Sequence, residues 1–264
     1  MNNHTISVAI KFGSNSQGFF SYNEPKQLIV FIHGFGGNSI GTWNNFPSFL
    51  LSDSKFSNTD IVFYGYETLK GQAGDHAGQF YDFLNKLQTP LSNNILPKEQ
   101  NLPERNYSKV VIVAHSLGAI LTRQTLLLAE IDSKEWADKV VMGLFAPAHN
   151  GANIINLAMQ TLNGLSGILG VFAKFRYPIL SDLDNHEQGI IHDIKSKTEL
   201  LQNQGKAEYT KAKLVVYAMG DKVVRNIQYL NDTPAVIISP ASHISVCKPT
   251  NDFKNPIELL KSIL

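Results

Sequence analysis

Short apolar runs alternate along this chain with longer stretches in which apolar residues recur at helical spacing. Leu28–Ile32 is apolar throughout, and Asp60–Tyr64, Lys109–Ala114, Val140–Phe145, Leu214–Ala218 and Val236–Ser239 are mostly apolar and rich in branched or aromatic residues. Ile6–Phe12 and Phe19–Tyr22 flank a Gly/Ser/Asn turn and predict an antiparallel hairpin. About eight strands result. Between Asp75 and Gln88, Ala77, Phe80, Tyr81, Leu84 and Leu87 share one face at helical spacing. Ser116–Leu128 continues the fifth strand directly into a helical pattern, and Pro256–Leu264 closes the chain with a proline suited to a first helical turn. Strands alternating with helices predict an α/β fold with a mostly parallel sheet.

Residues 150–205 break that rhythm. A connection this long inside a compact domain predicts a functional insertion, read as a lid or cap between strands six and seven of a single domain spanning 1–264. Its first part, "LAMQTLNGLSGILGVFAKF" (Leu157–Phe175), is apolar enough to cover a cleft.

At 264 residues the chain can bury a core without staples. The formal net charge of +1, with its basic residues scattered, argues against nucleic acid as a partner. One cysteine, Cys247, cannot form an internal disulfide. The start "MNNHTISVAIKFGSN" lacks a basic, then apolar, leader pattern. Leu157–Phe175 is interrupted by Gln160, Thr161, Asn163 and Ser166, short of the roughly 20 apolar residues of a spanning helix. The expectation is a soluble, cytoplasmic protein with no transmembrane segment; nothing in the sequence identifies a protein partner.

Candidate chemistry centres on "VVIVAHSLGAILTRQTLLL" (Val110–Leu128). Serine precedes glycine by two residues at Ser16, Ser39 and Ser116, but only Ser116 lies between an apolar strand and a helix. A strand-to-helix turn without spare residues strains its apex and lifts that side chain above the sheet. It needs small neighbours, which Ala114, Gly118 and Ala119 supply, although glycine is the usual residue at position 114. The helix N-terminus beneath favours developing negative charge. These residues alone also permit a serine that merely caps the helix.

A nucleophilic serine requires a base, and in elbows of this kind the acid follows the serine and the histidine comes last. Of eight histidines only His243 follows the last expected strand. Asp221, in "LVVYAMGDKVV", ends the preceding one; Asp232 and Asp184 follow no strand directly. The backbone N–H groups of Phe35, in "HGFGG", and Leu117 are the expected oxyanion donors. The same glycines do not form a dinucleotide loop, because position 39, where a third glycine is required, is Ser39.

Five elements, "FIHGFGGN…TW", "VAHSLGA", "APAHNGA", "GDKVV" and "SHISVCKP", run in order through most of the chain. With them the sequence resembles the α/β-hydrolase superfamily, in its lipase and esterase branch, and is similar to serine esterases related to GPI inositol-deacylase. In "APAHNGA" Ala148 separates Pro147 from His149, where the family has Pro-His, and His149 receives no catalytic role. The resemblance implies an α/β-hydrolase fold and an ester hydrolase that needs no cofactor and no metal. Its catalytic residues would be Ser116, Asp221 and His243, and its substrate a small-molecule or lipid-like acyl compound. Thioesterase, acyltransferase and amidase activity on the same three residues stay open, as does a non-catalytic binding protein. "DLDNHEQGIIHD", with His186 and His192, reads as solvated lid rather than a metal site, since its spacing matches no zinc or calcium loop. Trp43 and Trp136 read as core or subsite aromatics, and Cys247 as structural.

Overall fold

The computed structural model describes residues 7–89, 95–153, 156–157, 178–180 and 189–264. Eight strands form one sheet: β1 (Ser7–Phe12), β2 (Ser16–Ser21), β3 (Gln27–Ile32), β4 (Thr59–Tyr64), β5 (Lys109–His115), β6 (Val140–Phe145), β7 (Ala212–Ala218) and β8 (Val236–Ile238). Their spatial order is β1-β2-β4-β3-β5-β6-β7-β8. The β1–β2 and β2–β4 pairings are antiparallel and all others parallel. The α/β-hydrolase architecture expected from the sequence is therefore present: an eight-stranded, mostly parallel sheet flanked by helices.

The helices whose bounds lie among the described residues are α1 (Phe46–Ser52), α2 (Ala73–Gln88), α3 (Leu117–Ile131), α4 (Ile190–Asn203) and α5 (Asn255–Lys261). Burial explains the strand pattern. Ile29, Val30, Phe31 and Ile32 of β3 and Val110–Ala114 of β5 are all fully enclosed, as strands covered on both faces must be. Phe31 stacks on Phe63 at 4.7 Å and meets the buried Trp43 edge-on at 4.9 Å, so Trp43 is a core residue. On α2 the face carrying Ala77, Phe80, Leu84 and Leu87 is buried, and Thr125 of α3 donates its hydroxyl to the Ala77 carbonyl at 2.9 Å.

Two elements differ from the sequence reading. The β1–β2 hairpin is tighter than expected: β2 begins at Ser16, which faces Phe12 across a turn containing Gly13 at φ +59°. Within the expected lid, residues 190–203 form α4, which packs on α3 and buries Ile191, Ile194 and Thr198. Most of the apolar stretch Leu157–Phe175 lies outside the described residues; Leu157 itself is buried. Among the described residues no helix is long and apolar enough to cross a membrane.

The hairpin edge is held by a buried charge network centred on Asp60. One carboxylate oxygen accepts the Ser21 amide at 2.8 Å; the other accepts Arg105 Nε–H at 2.9 Å and the Tyr107 hydroxyl at 2.7 Å. Arg105 also donates to the carbonyls of Pro103 and Ser21 at 2.5 and 2.6 Å. Both charged side chains are fully buried. Asp60→Ala would leave the guanidinium enclosed without a counterion, at a cost of about 3–5 kcal/mol. Urea unfolding should show that loss as a lower midpoint. A change under ~1 kcal/mol, the size of a surface pair, would contradict the assignment.

Candidate active site

β5 delivers the chain to Ser116 at φ 52° and ψ −118°, and α3 begins at the next residue. A non-glycine residue there carries strain of about 1–3 kcal/mol and persists only where its surroundings hold it. The Ser116 amide donates to the Phe145 carbonyl at 3.0 Å, and the Ser116 carbonyl accepts the amides of Ala119 at 3.1 Å and Ala148 at 3.2 Å. Gly118 is required by contact: a β-carbon there would lie 2.5 Å from the Ile32 carbonyl oxygen and 2.7 Å from that of His33. Gly34 is required likewise, since its β-carbon would stand 2.7 Å from that of Ser116. Ala114, the departure from glycine, sits fully buried in the β5 ladder between Ile32 and Leu144.

The structure brings the three sequence-predicted side chains together. The Ser116 hydroxyl lies 3.0 Å from His243 Nε2, and His243 Nδ1 lies 3.0 Å from Asp221 Oδ2. His243 occupies the loop after β8 and Asp221 the turn after β7, so all three stand at carboxyl ends of parallel strands, where open α/β sheets place their ligands. Asp221 Oδ1 is occupied by the amides of Val223 at 2.8 Å and Val224 at 3.1 Å, which leaves Oδ2 aimed at the imidazole. Burial pushes the Asp221 carboxyl up, but the bond from His243 and the two amides more than offset it, so its pKa is lowered. Asp232, the other carboxylate considered, is committed elsewhere: it pairs with Arg123 in the core and accepts the Ala212 amide at 2.9 Å. Asp184 lies outside the described residues.

Around the serine, the glycine turn after β3 is shaped by its own bonds. The Gly37 amide donates to the Gly34 carbonyl at 3.1 Å and the Gly36 amide to the Thr68 hydroxyl at 3.0 Å. Phe35 lies between them with its side chain in the core. Leu117 opens α3, so its amide has no acceptor one turn back in the helix. A cleft of about 340 Å³ opens over this region, lined in part by Gly34, Phe35, Gly37, His115 and His243.

Two buried histidines that the sequence reading left without a role brace these parts. His115 donates Nε2–H to the carbonyl of His243 at 2.8 Å, so the residue before the serine grips the loop that carries the imidazole. His33 donates Nδ1–H to the Gly34 carbonyl at 2.9 Å and accepts the Tyr66 amide on Nε2 at 3.3 Å. Burial lowers the pKa of His115 to about 3 and of His33 to about 4, so both rings are neutral at pH 7. The signal is a histidine that ends an apolar strand (His115) or directly follows one (His33), which gives placement but not partner. His149 stacks on Tyr229 at 4.2 Å with Nε2 3.2 Å from the Tyr217 hydroxyl, and its pKa too is lowered by burial. The Cys247 thiol is buried and pushed up to about 12, which makes it a poor nucleophile. Among the described residues no three His, Cys, Asp or Glu side chains gather as a metal set; His192 is exposed and His186 lies outside those residues.

Residues 22–188 match the family described as "Putative serine esterase (DUF676)". No curated protein sequence matches the chain. Among solved structures, the mature lipase BlEst2 of Bacillus licheniformis superposes with a TM-score of 0.57 at 14% identity, covering 100% of both chains. An esterase from Rhizomucor miehei gives a TM-score of 0.59 at 15% identity over 97% of this chain and 82% of its own. The peroxisomal α/β-hydrolase Lpx1 of Saccharomyces cerevisiae gives 0.54 at 10% identity, over 98% and 85%. At such identities these likenesses speak to the fold, and none bears on the narrower resemblance to GPI inositol-deacylase.

The buried neutral histidines set a pH dependence. With folded pKa values near 3 and 4 against an ordinary 6.5, His115 and His33 bind protons in the unfolded chain first. Stability contributed by their neutral forms is complete above pH 6.5 and is lost as pH falls toward 4 and 3. Asp221, with its lowered pKa, acts in the same direction at the acid end. Urea midpoints should therefore fall steadily on acidification below neutrality. Ring ¹⁵N spectra should show both histidines neutral at pH 5, with the proton on Nε2 of His115 and on Nδ1 of His33. A ring that titrates near its ordinary value would contradict the buried geometry.

Proposed function

The chain belongs to the serine esterase family DUF676, and from that premise we propose that it hydrolyses carboxylic esters through Ser116, His243 and Asp221. The observation that carries the proposal is the unbroken line of two 3.0 Å contacts from Asp221 through His243 to the Ser116 hydroxyl. In this reading Ser116 Oγ attacks the acyl carbonyl while His243 Nε2 takes its proton. Asp221 holds the imidazole in the tautomer with Nδ1 protonated and stabilises the imidazolium that forms. The amides of Phe35 and Leu117 receive the oxyanion, each such donor contributing about 2.7–4 kcal/mol to the transition state. Collapse expels the alcohol, which leaves with the proton from His243. A water activated by the same ring then attacks the acyl-serine, and its collapse releases the acid and frees Ser116.

The composition of Leu157–Phe175 supports an acyl or lipid-like substrate. The reading includes a cytoplasmic setting, supported by a chain whose only cysteine is a buried free thiol. Thioesters and amides would use the same proton relay, and acyl transfer to another alcohol would differ only in the second nucleophile.

Turnover of short and medium p-nitrophenyl esters tests the assignment. Ser116→Ala should lower kcat by at least about 10³-fold, and Asp221→Asn by about 10⁴-fold with little change in KM, because the amide leaves the ring in the wrong tautomer. A fluorophosphonate should label the wild type at Ser116 alone. Equal turnover by wild type and Ser116→Ala, or labelling elsewhere, would sink the proposal.

A further inference from the structure

The cleft beside His243 is chemically lopsided. Among the described residues its polar lining side chains are Asn38, Thr42, His115, His243 and Lys248, with no aspartate or glutamate. Lys248 is half-buried and forms no ion pair with any described residue. The Asn38 side-chain oxygen accepts the backbone amides of Ile40 at 3.2 Å and Gly41 at 2.6 Å. That leaves its amide N–H groups as the part able to meet a ligand. The Thr42 hydroxyl accepts the backbone N–H of Asn38 at 3.0 Å and keeps its own proton to donate. An ammonium, an amide NH₂ and a hydroxyl thus present donors to the same space.

The backbone at Lys248 is held in place. It shares one tightly coiled segment with His243, in which the Val246 amide donates to the Ser242 carbonyl and the Lys248 amide to the Ser245 carbonyl, both at 3.0 Å. That segment is tied across the cleft to the loop after β3: Asn44 donates to the Pro249 carbonyl at 3.2 Å, and the Cys247 thiol contacts the Thr42 carbonyl at 3.6 Å. The backbone that places the base beside the serine therefore also places a cation in the cleft. Among the described residues no carboxylate pairs with the Lys248 ammonium, and a ligand anion would supply that partner.

We infer that the substrate is an anionic ester, an acyl compound whose carboxylate or phosphate group is bound by Lys248 with Asn38 and Thr42 while its carbonyl reaches Ser116. This rests on the ester-hydrolase reading above and deepens it: the acyl or lipid-like substrate gains a charged end. Selectivity arises in binding, because the ammonium meets a group remote from the reacting carbonyl and acts equally on the ground and transition states.

Two matched pairs of esters test it. The first is p-nitrophenyl adipate with its far carboxylate free, against the same compound methylated. The second is 1-acylglycerol 3-phosphate against the neutral monoacylglycerol. In the wild type at 50 mM salt, kcat/KM should favour the anionic member of at least one pair by about tenfold or more, chiefly through KM, and the preference should shrink as salt screens it. Which pair shows it separates carboxylate from phosphate. Lys248→Met should lower the anionic-to-neutral ratio about tenfold, and Lys248→Glu should invert it. No preference in either pair, or a preference that survives Lys248→Met, overturns the inference. Equilibrium binding in a Ser116→Ala background separates this from the chemistry. There, about tenfold weaker binding of the anionic esters on adding Lys248→Met upholds the subsite whether or not the wild type turns the esters over. Unchanged binding removes the subsite even if ester hydrolysis stands.

Discussion

One backbone torsion organises this molecule. Ser116 is held at φ 52° between a strand and a helix that are in direct contact. The conformation has no local support from the serine itself, which makes no cap bond to the helix it precedes. It is imposed by β6, whose Phe145 carbonyl takes the Ser116 amide, and by β3, whose last carbonyls press where only Gly118 leaves room. The strain is affordable only because β3, β5 and β6 are fully enclosed neighbours in register, so that relaxing the turn would mean unpacking the middle of the sheet. The sheet core and the serine's geometry are thus one constraint.

The rest of the site is assembled by short links to that turn rather than by independent scaffolds. His243 lies far along the chain, after a strand of three residues, on a loop that the sheet alone would hold weakly. His115, covalently next to the serine, closes the gap through the His243 carbonyl. His33 does the same for the glycine turn through Gly34. Both bonds are donated by a ring N–H, and burial keeps the rings that make them neutral. A protonated His115, with its ring centre 5.0 Å from that of His243, would oppose an imidazolium forming there.

What the sequence made legible follows from the range of each interaction. The strands could be read because burial on both faces writes itself as a continuous apolar run. Ser116, Asp221 and His243 could be singled out because each follows such a run, and proximity to a strand end is a local property. The short α1, which follows a Gly/Asn-rich loop, carried too little periodicity to be seen. α4 has helical spacing at Ile190, Ile191, Ile194 and Leu201, but it was absorbed into an insertion judged by length alone. The Asp60–Arg105–Tyr107 network joins residues up to 47 positions apart through polar groups, and no local pattern announces such a partner. The same holds for His115, whose acceptor is 128 residues away and is a backbone carbonyl, which has no sequence signature.

Charge placement separates the parts of the molecule that hold it together from the part that faces a ligand. Among the described residues the two buried guanidiniums are matched by carboxylates: Arg105 by Asp60 at the hairpin edge and Arg123 by Asp232, with Arg123 also lying 4.1 Å above the Tyr229 ring. Asp221 is matched too, by His243 and two amides. In these places burial demands pairing, because an isolated ion inside the protein would lose its hydration without return. Lys248 has no such partner among the described residues, and it stands at the wall of the cleft beside His243. Full burial without a counterion would neutralise a lysine, whereas full exposure would screen it from any ligand. At the wall of the cleft Lys248 lies between these limits, half-buried and beside open space that a charged guest could enter.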